Sequence, residues 1–231
     1  MQAVILAGGK GRRLYPFTKE IPKPLVEVQG RPIIELLLKQ MQVCGVCEVI
    51  IALNHMADKI KDVVGDGSQF GLQVRYSHEE KELSTVAPLK LIDSLEDTFI
   101  VANGDILTDL NFSDLMTSHL QSKSELTVAV TKRCHDIDYG VLKTNSDGQI
   151  ISFEEKPKSD YLVSCGIYAF SKTILKVIPN NLPFGFDNLM YALLEKNQKI
   201  HSYLFENFWL DIGRPADYEK AQSEYKKHFD H

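Results

Sequence analysis

The chain has 231 residues, 44% of them hydrophobic and 25% charged, with a net charge of −5. That usage excludes a disordered chain, a fibrous repeat and a disulfide miniprotein. No apolar run approaches the roughly 20 residues that cross a bilayer, and the acidic balance argues against a nucleic-acid binder. Met1-Gln2 enters a strand-like run with no basic stretch or cleavage site, so no signal peptide is expected. Four cysteines in core-like surroundings point to a reducing, cytoplasmic setting.

Ala3-Val4-Ile5-Leu6 is a wholly apolar run, the pattern of a strand buried on both faces, and it stops at Ala7-Gly8-Gly9. A helix is predicted from Pro32 to about Cys44, with proline in its first turn and Gly45 after its end. Glu48 to Leu53 reads as a second buried strand and Ala57 to Val64 as a helix closed by Gly65-Asp66-Gly67. Leu72 to Ser77 alternates as a strand, Pro88 to Leu95 reads as a helix, and Phe99 to Ala102 is another apolar strand. Such alternation means βαβ units and a parallel sheet.

After Asp105 the rhythm changes. Phe112 to Ser122 is predicted helical, Leu126 to Thr131 a strand, and Val141 to Thr144 with Gln149 to Phe153 a hairpin around Asn145-Ser146-Asp147-Gly148. Val163 to Phe170 is a further strand, Asp187 to Asn197 and Pro215 to Lys227 are helices, and Ile200 to Leu210 carries strand pieces. The expected fold is α/β, an open, mostly parallel but mixed sheet flanked by helices.

Two features stand out against this frame. Leu6-Ala7-Gly8-Gly9-Lys10-Gly11 follows the first buried strand, where open α/β sheets present ligands. Between Lys10 and Lys23 five cations face the single anion Glu20, a local excess suited to something small and anionic. The loop fits neither the dinucleotide fingerprint, which needs glycine where Leu14 stands, nor the Walker pattern. Cys44-Gly45-Val46-Cys47 lacks the second pair a zinc site needs and closes a helix, so core packing is its expected role.

The loop continues as Arg12-Arg13-Leu14-Tyr15-Pro16-Phe17-Thr18 and then Pro22-Lys23-Pro24. This run resembles the signature of the sugar-1-phosphate nucleotidylyltransferases, L-A-G-G-x-G-T-R-L-x-P-x-T followed by P-K-P. Further matches are Ser77-His78-Glu79-Glu80 with Leu83 to Leu89, Asn103-Gly104-Asp105, Tyr139-Gly140-Val141, Phe153 to Pro157, Ser164 to Tyr168 and Phe208 to Gly213. Arg12 replaces the usual threonine, and Ser84 and Ala87 replace glycines; a serine at 84 can serve if its φ is negative, in a tighter base pocket. The stretch from Ser77 to Glu80 is most similar to that of mannose-1-phosphate guanylyltransferases.

The resemblance implies a Rossmann-like sheet of the nucleotide-diphospho-sugar transferase type. It implies one nucleotidyltransferase domain over residues 1–231, with a nucleotide-binding half (1–110), a sugar-phosphate-binding half (111–231) and no C-terminal β-helix domain. It further implies transfer of a nucleotidyl group from an NTP to a sugar 1-phosphate, with Mg²⁺ as cofactor and neither nucleic acid nor membrane as partner; a homo-oligomer stays open. Arg13 and Lys23 become the catalytic cations. Leu6, Ala7, Gly8, Gly9, Gly11, Glu79, Ser84, Thr85, Asn103 and Gly104 become nucleotide-binding residues. Gly140, Glu155, Lys156 and Ser164 are assigned to the sugar phosphate, and Asp105 and Asp211 to the metal. A carboxylate only accepts hydrogen bonds and guanine offers adjacent N–H donors, so Glu79 favours GTP. Thymidylyl, uridylyl or cytidylyl transfer is the competing reading, as is a silent regulatory homologue, although such a homologue should have lost the cations or the carboxylates.

Overall fold

A computed structural model describes residues 1–229, so positions 230 and 231 of the expected domain lie outside the described residues. Strand β1 (Gln2–Leu6) is buried along almost its whole length, as its unbroken apolar run requires. A short pair, β2 (Glu27–Val28) and β3 (Arg31–Pro32), precedes helix α1 (Ile33–Val43). That helix buries Ile33, Ile34, Leu37, Leu38 and Met41, spaced to form one apolar face. Strand β4 (Glu48–Leu53), helix α2 (Ala57–Val64), and strands β5 (Gln73–His78) and β6 (Thr98–Asn103) complete the first half.

The second half opens with β7 (Ile106–Thr108) and α3 (Phe112–Ser122). The Asn111 side chain caps α3, accepting from the amides of Ser113 at 3.0 Å and Asp114 at 3.3 Å. Then come β8 (Leu126–Asp136), the hairpin β9 (Val141–Thr144) and β10 (Ile150–Glu154), β11 (Lys158–Ser171), α4 (Phe186–Glu195), β12 (Ile200–Leu204), β13 (Trp209–Asp211) and α5 (Pro215–Phe229). Both halves share one seven-stranded sheet in the order β12-β8-β11-β6-β1-β4-β5. Only β11 runs antiparallel to its neighbours, β6 and β8; the other pairs are parallel. The mixed, mostly parallel sheet is thus the one expected.

Some expectations change. The helix predicted over Pro88 to Leu95 is a single 3₁₀ turn over Ala87–Leu91. The amides of Val86 and Ala87 both bond the Phe184 carbonyl, at 3.0 and 3.1 Å, and tie the start of this turn to the loop before α4. Strands β8 and β11 outrun their predicted ends because their outer parts pair as an exposed ribbon, which needs no apolar pattern. All four cysteines are free, but only Cys165 is fully buried; Cys44 is half-buried, and Cys47 and Cys134 are exposed. Cys47 sits in the turn before β4, so core packing describes Cys44 in part and Cys47 not at all. No described helix is long and apolar enough to cross a membrane.

Candidate active site

Strands β1, β4 and β6 end together, and a cavity of about 530 Å³ opens at their carboxyl edge. The glycine loop forms one wall. Its entry is fixed by the Ala7 amide bonding the Ala52 carbonyl at 2.9 Å, and its exit by the Thr18 hydroxyl donating to the Gly11 carbonyl at 2.7 Å. Gly11 has φ +60°, a conformation that favours glycine, and a Cβ on Gly8 would lie 2.7 Å from Oε1 of Glu79. The wall therefore owes its shape to the glycines. Leu6, Ala7, Gly8, Gly9 and Gly11 all line the cavity, with Arg13 just beyond them.

Glu79, Ser84 and Thr85 also line the cavity. Glu79 is only 6% exposed; its Oε2 accepts from the Leu83 amide at 3.1 Å, and burial pushes its carboxyl up from the ordinary range. The Thr85 hydroxyl accepts from the Phe186 amide at 3.0 Å, which ties this segment to the start of α4. Ser84 has φ +69°, so the condition of a negative φ is not met: the serine occupies the left-handed conformation that a glycine would take freely. Lys10 pairs with Glu82 across the cavity, an ion pair exposed to solvent.

The floor joins the end of β6 to a strand from the second half of the chain. Asn103 and Gly104 close β6, with the Gly104 amide bonding the Leu6 carbonyl at 2.9 Å. Asp105 follows at once and leads into β7, which pairs antiparallel with β13 so that Asp211 stands opposite Ile106. The Ile212 amide bonds the Asp105 carbonyl at 3.1 Å and extends the pairing by one step. This two-stranded pair brings two sequence-distant carboxylates to one spot. Lys23, buried in a 3₁₀ turn between Pro22 and Pro24, directs its Nζ to Oδ2 of Asp105, and Oδ1 of Asp211 lies 3.7 Å away. Burial and the neighbouring Asp105 push the Asp211 carboxyl up, and Lys23 and Arg13 oppose that shift.

Oδ1 of Asp105 and Oδ1 of Asp211 are buried without a hydrogen-bond partner among the described residues. Two hard, anionic oxygens lacking donors suit a divalent cation that takes its other ligands from phosphates and water. No described group of three or more histidine, cysteine or carboxylate side chains could hold an ion unaided.

A second cavity of about 330 Å³ adjoins the first, sharing Arg13, Asp211 and Gly213 with it. Ser164 lines it, together with Arg133, Trp209 and Arg214, which sequence reasoning did not assign. Gly140, Glu155 and Lys156 line neither cavity. They flank the open end of the β9–β10 hairpin, where a Cβ on Gly140 would meet the Phe153 ring at 2.5 Å and Oε2 of Glu155 at 3.2 Å. The structure thus brings together the glycine loop, both cations, both aspartates and Glu79, Ser84, Thr85, Asn103 and Gly104, and leaves those three apart.

An open α/β sheet with a glycine-walled cavity, two cations and two converging carboxylates defines a nucleotide-binding class of protein. The Nucleotidyl transferase family model matches residues 2–228, and the chain belongs to that family. It is 33% identical over 94% of its length to the mannose-1-phosphate guanylyltransferase catalytic subunit beta of Drosophila pseudoobscura pseudoobscura. It is 31% identical over 96% of its length to the UTP–glucose-1-phosphate uridylyltransferase of Synechocystis. The chain spans only 60% and 62% of these two relatives. The crystal structure of HddC from Yersinia pseudotuberculosis complexed with GMP-PN superimposes with a TM-score of 0.75 at 29% identity, covering 97% of this chain and 99% of that one. A Bacillus anthracis protein solved as a putative glucose-1-phosphate thymidylyltransferase shares the fold, with a TM-score of 0.76 at 22% identity over 96% of this chain and 94% of that one.

Proposed function

We propose that the chain transfers a nucleotidyl group from GTP to a sugar 1-phosphate, giving a nucleotide-sugar and pyrophosphate. One observation carries the reading: Asp105 and Asp211 meet beside Lys23, facing the glycine loop and Arg13, in one cavity. A silent relative would not need to keep this cluster of charges. A sugar-phosphate oxygen attacks the α-phosphorus, the new P–O bond forms, the bond to the β-phosphate oxygen breaks, and pyrophosphate leaves with the electron pair. No protein nucleophile is required, so positioning and charge stabilisation supply the catalysis.

The backbone amides of Gly8, Gly9 and Gly11 cradle the phosphates, and Leu6 and Ala7 set the loop's height above the sheet. Arg13 presents a planar fork of donors to the triphosphate, and Lys23 adds a cation on a stiff segment. Glu79, Ser84, Thr85, Asn103 and Gly104 hold the nucleoside, with Glu79 as acceptor for guanine. Relatives named as guanylyltransferases and a neighbour complexed with GMP-PN support that choice of base. Ser164 meets the sugar phosphate in the second cavity; Gly140, Glu155 and Lys156, at the end of the β9–β10 hairpin and outside both cavities, are assigned to it by family resemblance alone. Mg²⁺, held by Asp105 and Asp211, supplies charge neutralisation at the phosphates when bound.

The unit is one nucleotidyltransferase domain, residues 1–110 serving the nucleotide and 111–231 the sugar phosphate. Its setting is the cytoplasm, supported by the exposed free thiols of Cys47 and Cys134. The test is pyrophosphate release with each of four NTPs, Mg²⁺ and a panel of sugar 1-phosphates. Release that needs both substrates, is greatest with GTP and stops on adding chelator is the expected result. A clear preference for dTTP or CTP would sink the base assignment.

A further inference from the structure

The second cavity has two ends. Arg13, Asp211 and Gly213 belong to both cavities, so a ligand phosphate that meets an α-phosphorus lies there. Arg133, Ser164 and Trp209 belong to the second cavity alone and face the rest of such a ligand. Arg133 lies on β8, beyond the buried part of that strand, and its guanidinium carbon sits 5.2 Å from the centre of the Trp209 ring. The indole is fixed in turn, since its Nε1 donates to the Cys165 carbonyl at 2.7 Å. Stacking on a fixed ring holds a guanidinium in place and leaves its in-plane N–H donors free.

The lysines beside Arg133 on the ribbon are paired and Arg133 is not. Lys132 pairs with Glu206 and Lys158 with Asp136, but Arg133 has no carboxylate partner among the described ion pairs. The wall also carries Arg214 and Asp217, and Oγ of Ser164 accepts from the Gly166 amide at 3.2 Å and lies 3.4 Å from the Tyr168 hydroxyl. Arg133 itself offers a ligand only donors, since arginine has no acceptor. We propose that Arg133, laid over Trp209, determines sugar specificity by donating to acceptor oxygens on the sugar, away from its reacting phosphate. The inference rests on the proposed transfer reaction and adds a residue that the sequence motifs do not contain.

Arg133 is exposed, so its replacement should leave the fold intact. Arg133→Gln and Arg133→Lys are compared with the wild type for pyrophosphate release from GTP with mannose 1-phosphate and glucose 1-phosphate. Losing hydrogen bonds from a charged donor should raise KM for the sugar phosphate about ten- to a hundredfold in Arg133→Gln. KM for GTP and kcat should stay within about twofold, and Arg133→Lys should recover only part of the loss. Trp209 is the single tryptophan, so its fluorescence reads the same site without turnover. A sugar 1-phosphate should change the wild-type emission and leave Arg133→Gln unchanged. Wild-type turnover with an unaltered sugar KM in Arg133→Gln, or equal fluorescence responses in both proteins, overturns the role of Arg133 alone. Neither turnover nor a fluorescence response in the wild type overturns the transfer reaction and this role together.

Discussion

Glu79 joins burial to chemistry at a single side chain. Its carboxyl titrates above the ordinary glutamate range because burial disfavours the charge. As an acceptor for guanine N–H groups it must be ionised. Lowering the pH through that raised value should therefore weaken GTP, and KM for GTP should rise toward acid before kcat falls. Glu79→Gln replaces one acceptor oxygen by a donor; it should cost about ten- to a hundredfold in GTP affinity and remove that acid dependence. An isothermal titration series across pH checks both, and a GTP affinity flat with pH in the wild type would remove Glu79 from base recognition. The two aspartates make a second claim at this scale. If they share one cation, removing either loses most of its placement, so Asp105→Asn with Asp211→Asn should turn over nearly as well as the worse single variant. Excess Mg²⁺ should partly restore the singles, and losses that multiply would separate the two residues.

Between elements, the short pair of β7 and β13 does what no motif states, since it alone carries Asp211 to Asp105. Each strand has three residues, too few for a pattern, so the convergence was legible only through family resemblance. The long buried strands and the helices with a single apolar face were readable because burial imposes a period; α3 and β4 match their predicted limits. The conformation of Ser84 and the engagement of Arg133 with Trp209 depend on tertiary contacts, and nothing local in the sequence encodes them. A further contact of this kind holds α3 to the sheet: His119, 1% exposed, has Nδ1 2.9 Å from the Thr127 hydroxyl and Nε2 3.2 Å from that of Ser171. Burial lowers its folded pKa below the usual value near 6.5. As pH falls below 6.5 the unfolded chain takes up a proton that the folded chain refuses, so stability declines toward acid through the lowered folded value. Thermal melts from pH 7.5 to 5 should show this decline, and His119→Asn should flatten it; identical slopes in the two proteins would assign the acid limb to other groups.

Across the whole molecule, the two halves meet in one sheet, and the two cavities adjoin where they share Arg13, Asp211 and Gly213. That shared wall is what a reaction joining two anions needs, because both must be held in one cationic, metal-competent place. The fate of the phosphates tests the account most directly. GTP radiolabelled in the α-phosphate is incubated with the protein, Mg²⁺ and the sugar 1-phosphate that gives the most pyrophosphate. Transfer predicts that the label moves into a nucleotide-sugar in proportion to pyrophosphate released, and only when the sugar phosphate is present. Label recovered as free GMP, or no product under any pairing, would contradict it.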